Sequence, residues 1–142
     1  MTVPAPQPTP ASAGGPAAGE MPAMAAPAAA GQVARDAQSL QWLCRRAALL
    51  ARSGQARRGL VYQLVAFQMQ PDDAAVLHGL ADIFARAGDG ARALEAAQRL
   101  ARLHGETPGI ERLRARAWLA LGDREAARDA LARALPDEDD TC

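Results

Sequence analysis

A glycine followed by a polar residue recurs at equal intervals along the chain: Gly54-Gln55, Gly88-Asp89 and Gly122-Asp123. An interval of about 34 residues belongs to chains built from one supersecondary unit that buries its apolar face only by stacking on copies of itself. The flanking segments LLARSGQARRGLVYQL, IFARAGDGARALEAAQ and WLALGDREAARDAL each read as helix, glycine corner, helix. Glycine suits such a corner because a helix commonly ends on one left-handed residue, a conformation that a Cβ makes costly. Three further columns keep the register. Ala47, Ala81 and Ala115 stand seven residues before the glycines, Gly59, Ala93 and Ala127 five after, and Leu50, Phe84 and Trp118 four before. Small residues at a helix crossing allow close approach, and the large residue fills the space beside it.

Helical periodicity agrees. Ile110, Leu113, Ala117, Trp118 and Leu121 form one apolar stripe, and Leu94, Ala97, Leu100 and Ala101 another. Pro71-Asp72-Asp73 ends one helix and offers an aspartate to cap the next; Thr107-Pro108 places a capping hydroxyl before a proline at the first helical position. Helices are expected near 34–53, 56–70, 73–87, 90–103, 108–121 and 124–135. The fold class is therefore all-α, and three helix-turn-helix units near 37–70, 71–104 and 105–136 form a domain over 34–136.

The ends differ from this domain. Ala, Pro and Gly fill most of positions 1–31, whereas Pro71, Pro108 and Pro136 are the only prolines that follow. That shift predicts a disordered leader over 1–33. Residues 137–142 form an acidic tail. All 16 arginines and 11 acids lie in 32–136, an excess of five positive charges that is too small to argue for nucleic acid. Arg45, Arg46, Arg57 and Arg58 read instead as a solvated face. Two cysteines, Cys44 and Cys142, make no secreted disulfide framework. The N-terminus lacks the basic and leucine-rich parts of a secretory signal. No apolar run is long enough to span a membrane. A cytoplasmic protein is expected, without membrane insertion or nucleic-acid partner.

These features resemble the tetratricopeptide repeat: a period of about 34 residues, helix-turn-helix, small residues at the crossing and proline before the next unit. The resemblance covers roughly 37–136. Leu43 and Arg46, Leu77 and Leu80, and Glu111 and Arg114 stand where the motif has tryptophan and leucine, and Gly105 where it has its second proline. The resemblance implies a short right-handed α-solenoid that binds a polypeptide on its concave side, lined by the first helix of each repeat. Carried over, the partner groove comprises Leu43, Cys44, Ala47 and Ala51 from the first repeat. Leu77, His78, Ala81, Asp82, Ala85 and Arg86 come from the second, and Arg112, Arg116 and Leu119 from the third.

Cys44, His78 and Asp82 are expected close together, one reading being a metal site or activated thiol, the other an ordinary polar groove lining. The second is adopted here, because no fourth ligand or oxyanion donor suggests itself. His104 is placed at a helix end, interacting with its dipole. No phosphate loop or nucleophile motif is present, so no catalytic, cofactor or metal residues are assigned and the protein is read as not an enzyme.

The second helix of the first repeat is apolar almost all round, which makes Leu60, Val61, Leu64 and Phe67 a second interface if neither leader nor first helix covers them. A homodimer of the free protein would hide it. The array is read as stopping at Leu135-Pro136, without the polar capping helix usual in solenoids. SGQARRGLVYQLVAFQMQPDD, followed by two further repeats and a charged tail, resembles the small tetratricopeptide chaperones of bacterial type III secretion, the Y-type above all. That family implies a cytoplasmic chaperone holding a secreted or export-apparatus polypeptide such as the X-type component. A scaffold module in a bacterial assembly and a translocator chaperone are the alternatives.

Overall fold

The structure, a computed structural model, describes residues 10–136, with side chains from residue 28 onward. The described residues form six α-helices and no strand: α1 (Pro10–Arg52), α2 (Ala56–Met69), α3 (Ala74–Arg86), α4 (Gly90–His104), α5 (Pro108–Ala120) and α6 (Arg124–Ala134). From α2 onward each boundary falls within a residue or two of its expected place, because local chemistry sets it.

The corners are alike. At each, the glycine amide donates to the carbonyl three residues back, and the next amide to the carbonyl five back. Gly54 and Gln55 reach Ala51 and Leu50; Gly88 and Asp89 reach Ala85 and Phe84; Gly122 and Asp123 reach Leu119 and Trp118. This pair of bonds satisfies the last carbonyls of a helix and requires a left-handed residue. The three glycines have φ of 83°, 89° and 83°. At the opposite ends, Asp73, Asp89, Thr107 and Asp123 each accept from the amide three residues on, and each such cap contributes about 1 kcal/mol. Gln55 makes no such bond at the start of α2.

Two compact units divide the chain, Met1–Ser39 and Leu40–Cys142. In the first, helix α1 begins at Pro10, well before the expected residue 34. Of the leader expected to be disordered, residues 1–9 lie outside the described residues and 10–33 are helical. The acidic tail 137–142 lies outside the described residues.

In the second unit α2 packs on α3, α3 on α4 and α5, α4 on α5, and α5 on α6. One apolar core joins Leu77, Leu80, Ala81 and Phe84 of α3 to Ala93, Ala97 and Leu100 of α4 and to Ile110, Leu113 and Ala117 of α5. A smaller one joins Ala47 and Ala51 of α1 to Ala56 of α2 and Ile83 of α3. The small-residue columns are buried in all three hairpins: Ala47, Ala81, Ala115 and Gly59, Ala93, Ala127. Among the described residues no helix is long and apolar enough to cross a membrane.

Candidate partner groove

The first helices of the first two hairpins bring inner-face residues together around a recess of about 320 Å³. Cys44, Ala48 and Ala51 of α1 form one wall, and Ala75, His78, Gly79, Asp82 and Ile83 of α3 the other. Gln63 of α2 closes the floor. It is fully buried and donates 2.9 Å to the Val76 carbonyl and 3.9 Å to Cys44 Sγ. An unpaired buried amide would be costly, so these bonds fix Gln63 and, through it, the spacing of α2 and α3.

Cys44, His78 and Asp82 therefore share one recess, as the register implied. Burial pushes the Cys44 thiol up from its ordinary value of 9.0, with the Gln63 hydrogen bond opposing and the charge of Asp73 adding to the rise. A thiol held neutral is a poor nucleophile and a poor ligand. In a Cys142→Ser background we expect Cys44 to alkylate with iodoacetamide at neutral pH more slowly than a free thiol. Mass spectrometry over time checks this. Labelling at the free-thiol rate would contradict it. Asp82 is committed elsewhere: Arg86 donates to it at 2.9 Å, and Arg116 of α5 bonds its second oxygen. Among the described residues, no three His, Cys, Asp or Glu side chains converge as metal ligands would.

The remaining groove candidates divide by depth. Arg86, Arg112, Arg116 and Leu119 are exposed, Leu43 and Ala85 half-buried. Ala47, Leu77 and Ala81 are wholly buried in the core rather than on the groove surface. They sit on the helix side that faces the hairpin partner, so a bound segment would not touch them. Gln63 and Gly79 belong to the recess without a place in the expected lining. A polar residue inside the otherwise apolar run of α2 is the signal that marks Gln63. Gly79 is there because a Cβ would fall 2.7 Å from Gln63 Nε2. His104 contacts a backbone group outside its own helix: its Nε2 donates to the Asp72 carbonyl at 2.6 Å, pinning the end of α4 to the segment that leads into α3.

On the other side, α2 and α4 flank a second recess of about 410 Å³, floored by Leu77, Leu80 and Phe84. Leu64 and Phe67 contribute from α2, and Arg92, Arg99 and Arg102 from α4. Arg99 lies 5.6 Å over the Phe67 ring and Arg92 5.9 Å over Phe84. Contacts of this kind contribute about 0.5–1 kcal/mol each when exposed. The fixed register of Phe67 and Phe84 against the arginines of α4 hints at the pairing, but helix spacing alone does not say which side chains fold over a ring. Of the expected second interface, Leu60 and Phe67 pack against the core, while Val61 and Leu64 stay exposed together with Val65 and Met69.

A scan of protein-family models finds no match to this chain, and a search of curated proteins finds no similar sequence.

Proposed function

We propose that the three hairpins form a short right-handed α-solenoid of tetratricopeptide type, and that its α1/α3/α5 face holds a segment of one dedicated polypeptide partner. The reading is non-enzymatic: binding, with no cofactor and no covalent step. The recess between α1 and α3 is the observation that carries it. It is open to solvent, walled by the methyl groups of Ala48, Ala51 and Ala75 and the bare backbone of Gly79, and edged by His78 and the Asp82–Arg116 pair. Small walls with a few oriented polar groups suit an inserted apolar side chain flanked by main-chain amides and carbonyls. By the sequence resemblance, the partner class is a secreted or export-apparatus component of type III secretion, and the protein is its cytoplasmic chaperone.

Ala48 and His78 are exposed, so Ala48→Trp and His78→Trp fill the recess without disturbing the core. In affinity purification from the native host, the wild-type chain is expected to retain one stoichiometric small polypeptide. Each tryptophan variant should retain at least about tenfold less, as loss of a central anchor contact does. Unaltered retention by both variants overturns the groove reading. Loss through Val61→Asp on α2 instead would move the interface to that helix.

A further inference from the structure

Positions one repeat apart are buried or exposed according to which neighbouring hairpin covers them, and among the described residues the apolar side chains at the two ends of the set stay exposed. The helix-to-helix stripe Val76, Gly79, Ile83 of α3 faces α2: Gln63 bonds the Val76 carbonyl, and a Cβ on Gly59 would fall 2.9 Å from Ile83 Cδ1. The same stripe in α5, Ile110, Leu113, Ala117, is buried against α4. In α1 it reads Trp42, Arg45, Leu49. Here Trp42 is 57 % exposed, its ring touching Tyr62 of α2 edge-on at 5.8 Å, and Leu49 is 54 % exposed.

At the other end the pattern is mirrored. Gln63 of α2 and Ala97 of α4 are buried, but their equivalent Leu131 in α6 is 45 % exposed. Phe67 and Ala101 pack on the core, but Leu135 is 69 % exposed. The side chains left open on α1 and on α6 are thus those that occupy opposite sides of the contacts within the molecule.

Charge follows the same polarity. Residues 37–70 contain Arg45, Arg46, Arg52, Arg57 and Arg58 and no acid, and all five arginines are exposed. Residues 123–142 contain seven acids against three arginines. Asp123, Glu125 and Asp129 of these are exposed on the last hairpin, and the tail acids lie beyond the described residues. Arg124, Arg128 and Arg133 are exposed beside these acids, so the acidic excess is that of the tail sequence; in a chain of zero net charge, a basic first repeat and an acidic C-terminal segment attract each other between copies.

We propose that a second copy of this chain is the occupant of both ends: α6 of one molecule, through Leu131 and the C-cap Leu135, docks on α1 of the next, through Trp42 and Leu49. The contact is heterologous, so each molecule keeps one free face of each kind, and the series closes into a ring or extends. The inference rests on the repeat register but not on the groove having a partner. The register has its own test in the stability of Ala81→Leu, so failure of one does not mimic failure of the other.

Sedimentation equilibrium of the full chain over a rising concentration series reads the outcome. The wild type is expected to pass beyond the mass of a dimer at low salt, and to shift toward monomer as salt screens the opposed faces. Trp42→Glu and Leu131→Glu, each at an exposed site, should keep their helical circular dichroism and weaken self-association at least about tenfold. Leu135→Glu replaces Leu131→Glu if the latter loses helix content. The two variants mixed should form a 1:1 pair that stops at the mass of two, because each retains the face the other lacks. A monomeric wild type at every concentration overturns the proposal, as does a mixture that stays monomeric. So does a wild type that stops at a dimer abolished by Val61→Asp, which would be a symmetric contact through α2.

Discussion

Ala81→Leu should destabilise the protein by about 1–3 kcal/mol, the usual cost of forcing extra methylene groups into a filled interior. Ala81 is wholly buried in α3, in one core with Leu77, Phe84, Ala93 and Ala97, so a larger side chain must displace its neighbours. For a folded part of roughly 100 residues, each kcal/mol lowers the melting temperature by about 4–8 °C, so the shift is easily read by thermal circular dichroism. Ala48→Leu, on the exposed side of the neighbouring helix, is the control and should stay within roughly 0.5 kcal/mol of the wild type. An unchanged melting temperature for Ala81→Leu would place this residue outside a crossing and dissolve the repeat register with it.

Gly59→Ala sets two physical effects against each other. Alanine is favoured over glycine inside a helix by up to about 1 kcal/mol, which would stabilise α2. The close approach of α1 opposes this. A Cβ at Gly59 would lie 2.6 Å from the Ala47 carbonyl oxygen, 2.9 Å from Ile83 Cδ1 and 3.2 Å from Leu50 Cβ. The Ala47 oxygen and Leu50 Cβ are fixed by the backbone of α1 and cannot swing away, so α1 and α2 must separate, and overpacking of about 1–3 kcal/mol wins. The expected result is a lower melting temperature despite a better helix former. Gly79→Ala is the informative contrast, since its Cβ would meet only the amide end of Gln63. That side chain can move at the expense of its bond to Val76. A melting temperature raised by Gly59→Ala would mean that α1 and α2 are further apart than the structure has them.

Gly59 also shows where reading the chain by columns stops. Its equivalents in the next hairpins are Ala93 and Ala127, both buried, so the column says only that a small residue is needed. That the first hairpin is tight enough to demand glycine depends on how far α1 sits from α2. Arg114 makes the same point for charge. It stands where the repeat motif has an apolar residue, yet it is mostly buried, bonding Glu106 at 2.7 Å and Glu111 at 2.8 Å, with Arg133 of α6 closing on Glu111 at 3.2 Å. The Arg114 hydrogen bond holds the Glu106 carboxyl below its ordinary value of 4.5. Local pattern gives no hint of this network, because Arg133 comes from the next helix.

The shared recess was legible in the sequence, but not the depth of each residue. Cys44, His78 and Asp82 follow from the repeat offset and do share a recess, while Ala47, Leu77 and Ala81 lie one helix face deeper, in the core. A shift of one residue turns a helix by about 100°, so a lining inferred from spacing confuses adjacent faces.

The order of residues by itself determined the corners, the caps and the phase of the hairpins. Each depends on a handful of neighbouring backbone groups: a left-handed glycine at 54, 88 and 122, and a side-chain oxygen at 73, 89, 107 and 123. Only the tertiary structure decided which members of a repeated column are covered, why Gln63 is a buried strut and Leu131 an exposed apolar side chain at the same position, and which arginines fold over aromatic rings. Burial is set by whatever stands on the other side, and chain segments distant in sequence supply it.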